Sequence, residues 1–258
     1  MGLSRGTRYY KAKTRPGDEL VRQRMREIAK EKRRWGCPLI HRVLKREGLV
    51  QNHKRTERLY REEGLSIRTK KRKKRACHLR VEMPVPETVN QRWSMDFVSD
   101  RIWLGRRIRI FAVVDDYSRE SLSLEVDTSI GGWRVARVLD RIVAERGRPD
   151  YIRCENGPEF TGQALDEWAY RNGVKIDFIE PGKPTQNAFI ESFNSILRRE
   201  CLNDHWFTSL MGARDIIEEW RREYNNHRPH GSLKDLTPRE FATKSLPIVD
   251  PALAQFVG

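Results

Sequence analysis

No window of this 258-residue chain approaches eighteen uninterrupted apolar residues, and its opening, MGLSRGTRYYKAKTRPG, lacks the apolar stretch of a signal peptide. The expectation is a soluble, intracellular protein with no membrane partner. Cysteine is scarce: Cys37, Cys77, Cys154 and Cys201 lie far apart and form no C-x-x-C pair. That spacing argues against a zinc site and suits free, buried thiols in a reducing compartment. A sustained heptad pattern is also missing, so the chain supplies no coiled coil of its own. With 38% hydrophobic residues it can still bury one substantial core beside a smaller module.

Acidic residues are rare at one end only. Residues 1–80 hold 27 Lys and Arg against 8 Asp and Glu, a net +19, whereas the remainder holds 24 against 28, a net −4. A concentrated positive block is a footprint for polyanion binding, because each cation that neutralises a phosphate releases condensed counterions. The alternative for such a block is a solvated helical surface.

The same third carries helical periodicity. DELVRQRMREIA places Leu20, Val21, Met25 and Ile28 on one side, PLIHRVLKREGL repeats the spacing with Ile40, Val43 and Leu44 before Gly48, and KRTERLYREEGL does so with Leu59 and Tyr60 before Gly64. Three short helices, the last two joined by LVQN, have the form of a helix-turn-helix unit over residues 1–67, though a plain helical bundle fits the same pattern. RTKKRKKRA has no apolar period and reads as a basic linker, residues 68–90, ending at the prolines of EMPVPETVNQ. Its Lys70, Lys71, Arg72, Lys73, Lys74 and Arg75 are candidate nucleic-acid contacts.

From Gln91 the period changes to that of strands. RWSMDFVSDRIW, RIRIFAVVDDYS and SLSLEV predict three antiparallel strands, GGWRVARVLDRIVAERG a helix, YIRC a fourth strand, QALDEWAYRNG a helix, KIDFIE a fifth strand, and residues from about Thr185 to Leu202 a long helix. The order βββαβαβα is that of a ribonuclease-H-like α/β fold: a mixed five-stranded sheet with flanking helices, here over residues 91–243, followed by a tail at 244–258. In that fold the first and fourth strands are neighbours. Asp96 in the first, Glu155 at the end of the fourth and Glu191 early in the last helix can then converge, and three carboxylates suit Mg²⁺, a hard cation that takes oxygen ligands.

At these residues a resemblance becomes specific. Asp96 in RWSMDF, the acid of RCENGPEF and Glu191 in PGKPTQNAFIESFN, with 35 residues between the last two, resemble the DD(35)E signature of insertion-sequence transposases with a retroviral-integrase-like core. EYNNHRPHGSLKDLTPREF is similar to the terminal signature of the same family, and the likeness spans roughly residues 31–243. It implies a polynucleotidyl transferase that cleaves element ends and joins them to target DNA, with Asp96, Glu155 and Glu191 as both catalytic residues and ligands of Mg²⁺, Mn²⁺ being a substitute. It also implies self-association, an upstream-frame product or fusion as partner, and a nucleoid-associated place in the bacterial cytoplasm.

The family pattern has Asp where this chain has Glu155, and its longer side chain predicts reduced activity. A catalytically impaired DNA-binding remnant and a nuclease of the same fold are the alternative readings. RWGCPLIH departs too, with Cys-Pro-Leu where the family commonly has an aromatic followed by basic residues. Lys183, Asn187, Asn194 and Arg198 are further candidate DNA contacts. If the first hairpin centres on Gly105 and Arg106, Asp115 lies across from Asp96 and supports the metal ligands from behind. Asn156 is a turn residue placed to do the same. His227, Arg228 and His230 read as capping or surface residues.

Overall fold

The computed structural model describes residues 16–67, 85–103, 105–180 and 184–245. Two compact units divide the chain, Met1–Arg75 and Ala76–Gly258. The basic segment Lys70–Arg75, Cys77 and Lys183 lie outside the described residues.

In the first unit α1 (Asp18–Glu31), α2 (Cys37–Arg46) and α3 (His53–Glu62) pack around Val21, Met25, Ile28, Ile40, Leu44, Val50, Leu59 and Tyr60. The repeated sequence before Gly48 and Gly64 is a repeated stop signal. Both glycines have positive φ, 75° and 66°, and the amides that follow return to the helix, Leu49 N to Leu44 O at 3.0 Å and Leu65 N to Tyr60 O at 3.2 Å. Only glycine takes that conformation cheaply, and the leucine after each packs on the helical core.

The module also explains where its charge goes. All 8 acids of the first 80 residues fall within residues 16–67, against 14 basic side chains there. Asp18, 2% exposed, accepts from Arg55 and Arg58, Glu63 from Arg22 and Arg26, and Glu47 from Arg24. Most of the excess positive charge therefore belongs to residues 1–15 and 68–80, while many arginines of the helices hold the helices together.

The second unit is built on five strands: β1 (Arg92–Arg101), β2 (Arg107–Asp115), β3 (Ser121–Asp127), β4 (Tyr151–Cys154) and β5 (Lys175–Phe178). Their order is β3-β2-β1-β4-β5, with β1–β2 and β2–β3 antiparallel and β1–β4 and β4–β5 parallel. Alternation along β1 and β2 sorts the core into two layers. Trp93, Met95, Phe111 and Val113 face α4 (Gly132–Arg146) and α5 (Gln163–Asn172). Val98, Ile110, Ala112 and Val114 face α6 (Ala188–Leu197) and α7 (Leu210–Asn226), through Ile190, Phe193, Leu197, Ile217, Trp220 and Tyr224. A last helix, α8 (Pro238–Ser245), packs on α7.

Two expectations change. The single helix from Thr185 to Leu202 is instead a 3₁₀ turn at Pro184–Asn187, α6, and a π-helical turn at Arg198–Leu202. The widened turn carries Glu200, Cys201 and Leu202 inward, where all three are buried. The β1–β2 hairpin is also offset: Trp93 lies opposite Asp115, and Asp96 opposite Ala112. A centre near residue 104 instead of between 105 and 106 puts Asp115 on the Trp93 face, the other side of the sheet from Asp96.

Candidate active site

Asp96 stands in the middle of β1 on the face covered by α6. Two residues before it, Ser94 pairs with Arg153 of β4, so Glu155, two residues beyond Arg153, follows the end of β4 toward Asp96. The segment after β4 stays tied to β5: Ile179 N donates to Cys154 O at 3.0 Å and Asn156 Nδ2 to Ile179 O at 3.1 Å. Asn156 thus fixes the path of the chain beside Glu155. Glu191 comes from the first turn of α6, whose Ile190, Phe193 and Leu197 are buried against the sheet.

The three carboxylates meet electrostatically. Asp96 is pushed up to about 6, first by burial, with Glu155 and Glu191 adding to the rise, while hydrogen bonds from the Phe97 amide and from Asn194 oppose it. Those bonds are short: Phe97 N donates to Asp96 Oδ1 at 2.7 Å, and Asn194 Nδ2 to Asp96 Oδ2 at 2.8 Å. Glu155 and Glu191 are exposed, and neither has an ion-pair partner among the described residues. Among those residues no three acidic, histidine or cysteine side chains are gathered at metal-ligand spacing. The donor chemistry nonetheless suits a hard divalent cation: oxygen ligands only, one half-buried and two exposed, with no arginine or lysine paired to Glu155 or Glu191 among the described residues.

The sequence-based expectations divide at this point. Asn187 is 1% exposed, so it leaves the set of DNA contacts, because an interior side chain cannot reach a phosphate; Asn194 is half-buried, with its amide nitrogen on Asp96. Arg198 is exposed, donates to Ser99 O at 2.7 Å, and lies 3.9 Å from Asp100. Asp115 organises the end of β2. Its carboxylate is fully buried and accepts from the amides of Asn90, Tyr117 and Ser118 and from Ser118 Oγ. Its neighbour Asp116 accepts from Arg92 Nε at 2.6 Å and Ser94 Oγ at 2.9 Å, beneath the α6 face of β1.

Other supports were not visible in sequence. Phe189, two residues before Glu191, lies under two guanidinium groups, Arg119 at 3.6 Å and Arg92 at 5.6 Å from the ring centre. Beyond α6, Arg228 grips Glu200 with two bonds, Nε to Oε2 at 2.8 Å and Nη2 to Oε1 at 2.9 Å. Arg228 and His230 are buried, not surface residues. Burial alone would raise Glu200, but Arg228 and Arg199 hold it below the ordinary carboxylate range. Cys154 and Cys201 are buried free thiols, each pushed up to about 12 by desolvation, which leaves them unreactive.

Together the sheet order, the acids on β1, after β4 and on α6, and the preceding three-helix unit define an integrase-core protein with a helix-turn-helix-like module. Residues 86–184 and 172–238 match integrase core domain families, and residues 16–75 match an HTH-like domain family. An uncharacterized protein of insertion element IS407 from Burkholderia multivorans is 46% identical over 98% of this chain and 92% of its own length. An uncharacterized protein of insertion element IS476 from Xanthomonas euvesicatoria is 44% identical over 93% of this chain and 70% of its own. The putative transposase InsK of IS150 from Escherichia coli is 25% identical over 94% and 91%. The chain therefore belongs to the insertion-sequence transposases with an integrase core.

Solved structures agree on the fold. A simian T-cell lymphotropic virus intasome in complex with a PP2A regulatory subunit superposes with a TM-score of 0.59 at 15% identity, over 88% of this chain and 76% of that one. The HTLV-2 integrase catalytic core, solved with magnesium, gives 0.50 at 16% identity over 60% and 98%. Integrase cores typically work with a divalent metal. Among the described residues no helix is long and apolar enough to cross a membrane.

Proposed function

We propose that this chain is the catalytic subunit of a DNA transposition system. The observation that carries the reading is the coupling of Asp96 to Glu155 and Glu191, three acids from three separate elements, with no cationic partner among the described residues to neutralise them. In the first step the oxygen of water attacks the phosphorus at the element end, the P–O3′ bond breaks, and the departing 3′-oxygen takes up a proton. In the second, that 3′-hydroxyl attacks a phosphodiester of target DNA, gives its proton to solvent and displaces a target 3′-hydroxyl. No bond to the protein forms.

Mg²⁺ held by Asp96, Glu155 and Glu191 would supply the positive charge that activates the attacking oxygen and stabilises the leaving one. The protein's own part is placement. β1 fixes Asp96, Asn194 keeps one of its oxygens turned toward α6, and the cations on Phe189 with the Glu200–Arg228 pair hold the two ends of α6 that carries Glu191. Element-end recognition and assembly on two DNA ends fall to the helical module, to self-association and to an upstream-frame partner or fusion.

The test is a product analysis with the purified full chain, the upstream-frame product supplied, and Mg²⁺ on a labelled DNA end carrying the terminal repeat. Joined products together with end cleavage support transposition. Cleavage without joining makes the chain a nuclease, and binding without either reaction makes it a non-catalytic remnant.

A further inference from the structure

The second unit carries a net negative sequence, yet the tip of its first hairpin is built the other way. Arg101 and Arg107 lie directly opposite one another across β1 and β2, and Arg106 lies in the connection between them, next to Arg107. All three are exposed, and among the described residues none has an ion-pair partner. Like charges directly opposite in a sheet are destabilising, and no acidic side chain among the described residues is paired with either arginine.

Beside the arginines is an aromatic pair with no packing role. Trp103 and Trp206 are 66% and 77% exposed, with ring centres 5.2 Å apart. The tip is held in place: Trp103 N donates to Phe207 O at 2.7 Å, Ile102 N to Arg106 O at 3.0 Å and Gly105 N to Ile102 O at 2.8 Å, with Phe207 itself 3% exposed. The two indoles and three guanidinium groups are thus presented by a braced turn.

Cations interleaved with exposed aromatic faces are complementary to nucleic acid, whose phosphates take the first and whose sugars and bases stack on the second. A second copy of the chain would bring the same three positive charges against these, which argues against a self-paired patch. Five residues of strand separate Asp96 from Arg101, about 17 Å, and the odd step turns Arg101 and Arg107 to the other face of the sheet, so the tip is a contact apart from the Asp96 site.

We propose that the β1–β2 tip, through Arg101, Arg106, Arg107, Trp103 and Trp206, is a DNA-contacting surface lying apart from the active site, which carries the same DNA. The inference rests on DNA being the substrate of that site, but not on the chemistry there. Its test is binding of the full chain, in chelator and without divalent metal, to a duplex of arbitrary sequence about 30 base pairs long that carries a single-stranded tail of about 10 nucleotides, across a range of salt concentrations.

The paired change Arg101→Gln with Arg107→Gln should make the slope of log affinity against log salt shallower by about 2, and Arg101→Lys with Arg107→Lys should restore it. Trp103→Ala with Trp206→Ala should lower affinity roughly tenfold with the slope unchanged, while the Phe versions retain most of it. Arg137→Gln, an exposed arginine on α4, should leave both quantities as they were. An equal effect from Arg137→Gln, unchanged binding in both paired variants, or a change in oligomeric state without a change in DNA affinity would overturn the proposal. If the native chain binds no DNA at all, the transposase reading falls with it; if only the tip variants are silent, this inference falls alone.

Discussion

Asn194 Nδ2 lies 2.8 Å from Asp96 Oδ2, a bond between α6 and β1 that spans 98 positions of sequence. It joins the helix that bears Glu191 to the strand that bears the most buried acid of the site, and it commits one Asp96 oxygen to a fixed direction. A group that orients a metal ligand is worth roughly 10–100-fold in metal affinity. Asn194→Ala should therefore raise the Mg²⁺ concentration for half-maximal DNA cleavage by about that factor, with the chain still folded. An unchanged metal titration would show that the bond has no part in ligand placement.

If Glu155 is the second ligand of the proposed metal site, it exceeds the aspartate of the DD(35)E signature by one methylene, about 1.5 Å of reach, whereas catalytic constellations tolerate roughly 0.5 Å of misplacement. Glu155→Asp should raise Mg²⁺-dependent strand transfer, and Mn²⁺ should partly rescue the native chain. Equal, high activity of the two proteins in a side-by-side joining assay would mean that the site accommodates the longer side chain.

The elements that carry the three acids of the candidate site were legible because strand and helix periods are local. The run RWSMDF, the strand YIRC and the 35-residue interval fixed which elements carry Asp96, Glu155 and Glu191. What escaped depends on partners far away. The register of the hairpin turned on whether the chain reverses at residue 104 or one to two residues later, and that choice moved Asp115 to the opposite face. Asn194 follows Glu191 by three residues on the same helix, but its acceptor, Asp96, lies on another element. Arg228 and His230 sit in a polar run that looks like surface, and only the π-helical turn that buries Glu200 makes them interior.

That turn supplies a stability prediction. Arg228→Ala leaves the Glu200 carboxylate buried without its main partner, at a cost of about 3–5 kcal/mol. Replacing both, Glu200→Leu with Arg228→Met, should recover most of the loss because no charge remains to be desolvated. Urea unfolding of the three proteins checks this; equal stability of the single and double variants would contradict it.

The helical module has a pH dependence of known sign. Burial would raise Asp18, but its bonds to Arg58 and Arg55 hold it below its ordinary value of 3.8. A folded-state value below the unfolded one means that Asp18 contributes stability above about pH 4 and that the contribution is lost as pH falls through the lowered value. Asp18→Asn should cost about 2 kcal/mol at neutral pH and flatten the acid limb of the module's thermal stability. Parallel curves for the two proteins below pH 4 would assign the acid sensitivity elsewhere.

The most direct measurement of the central claim is Mg²⁺-dependent joining of a terminal-repeat DNA end to a target plasmid, run with the native chain and with Asp96→Asn, Glu155→Gln and Glu191→Gln. If the three acids form one metal site, each variant loses joining by several orders of magnitude while keeping DNA binding and a cooperative unfolding transition. Joining retained at near-native rate by any one of them would contradict the account.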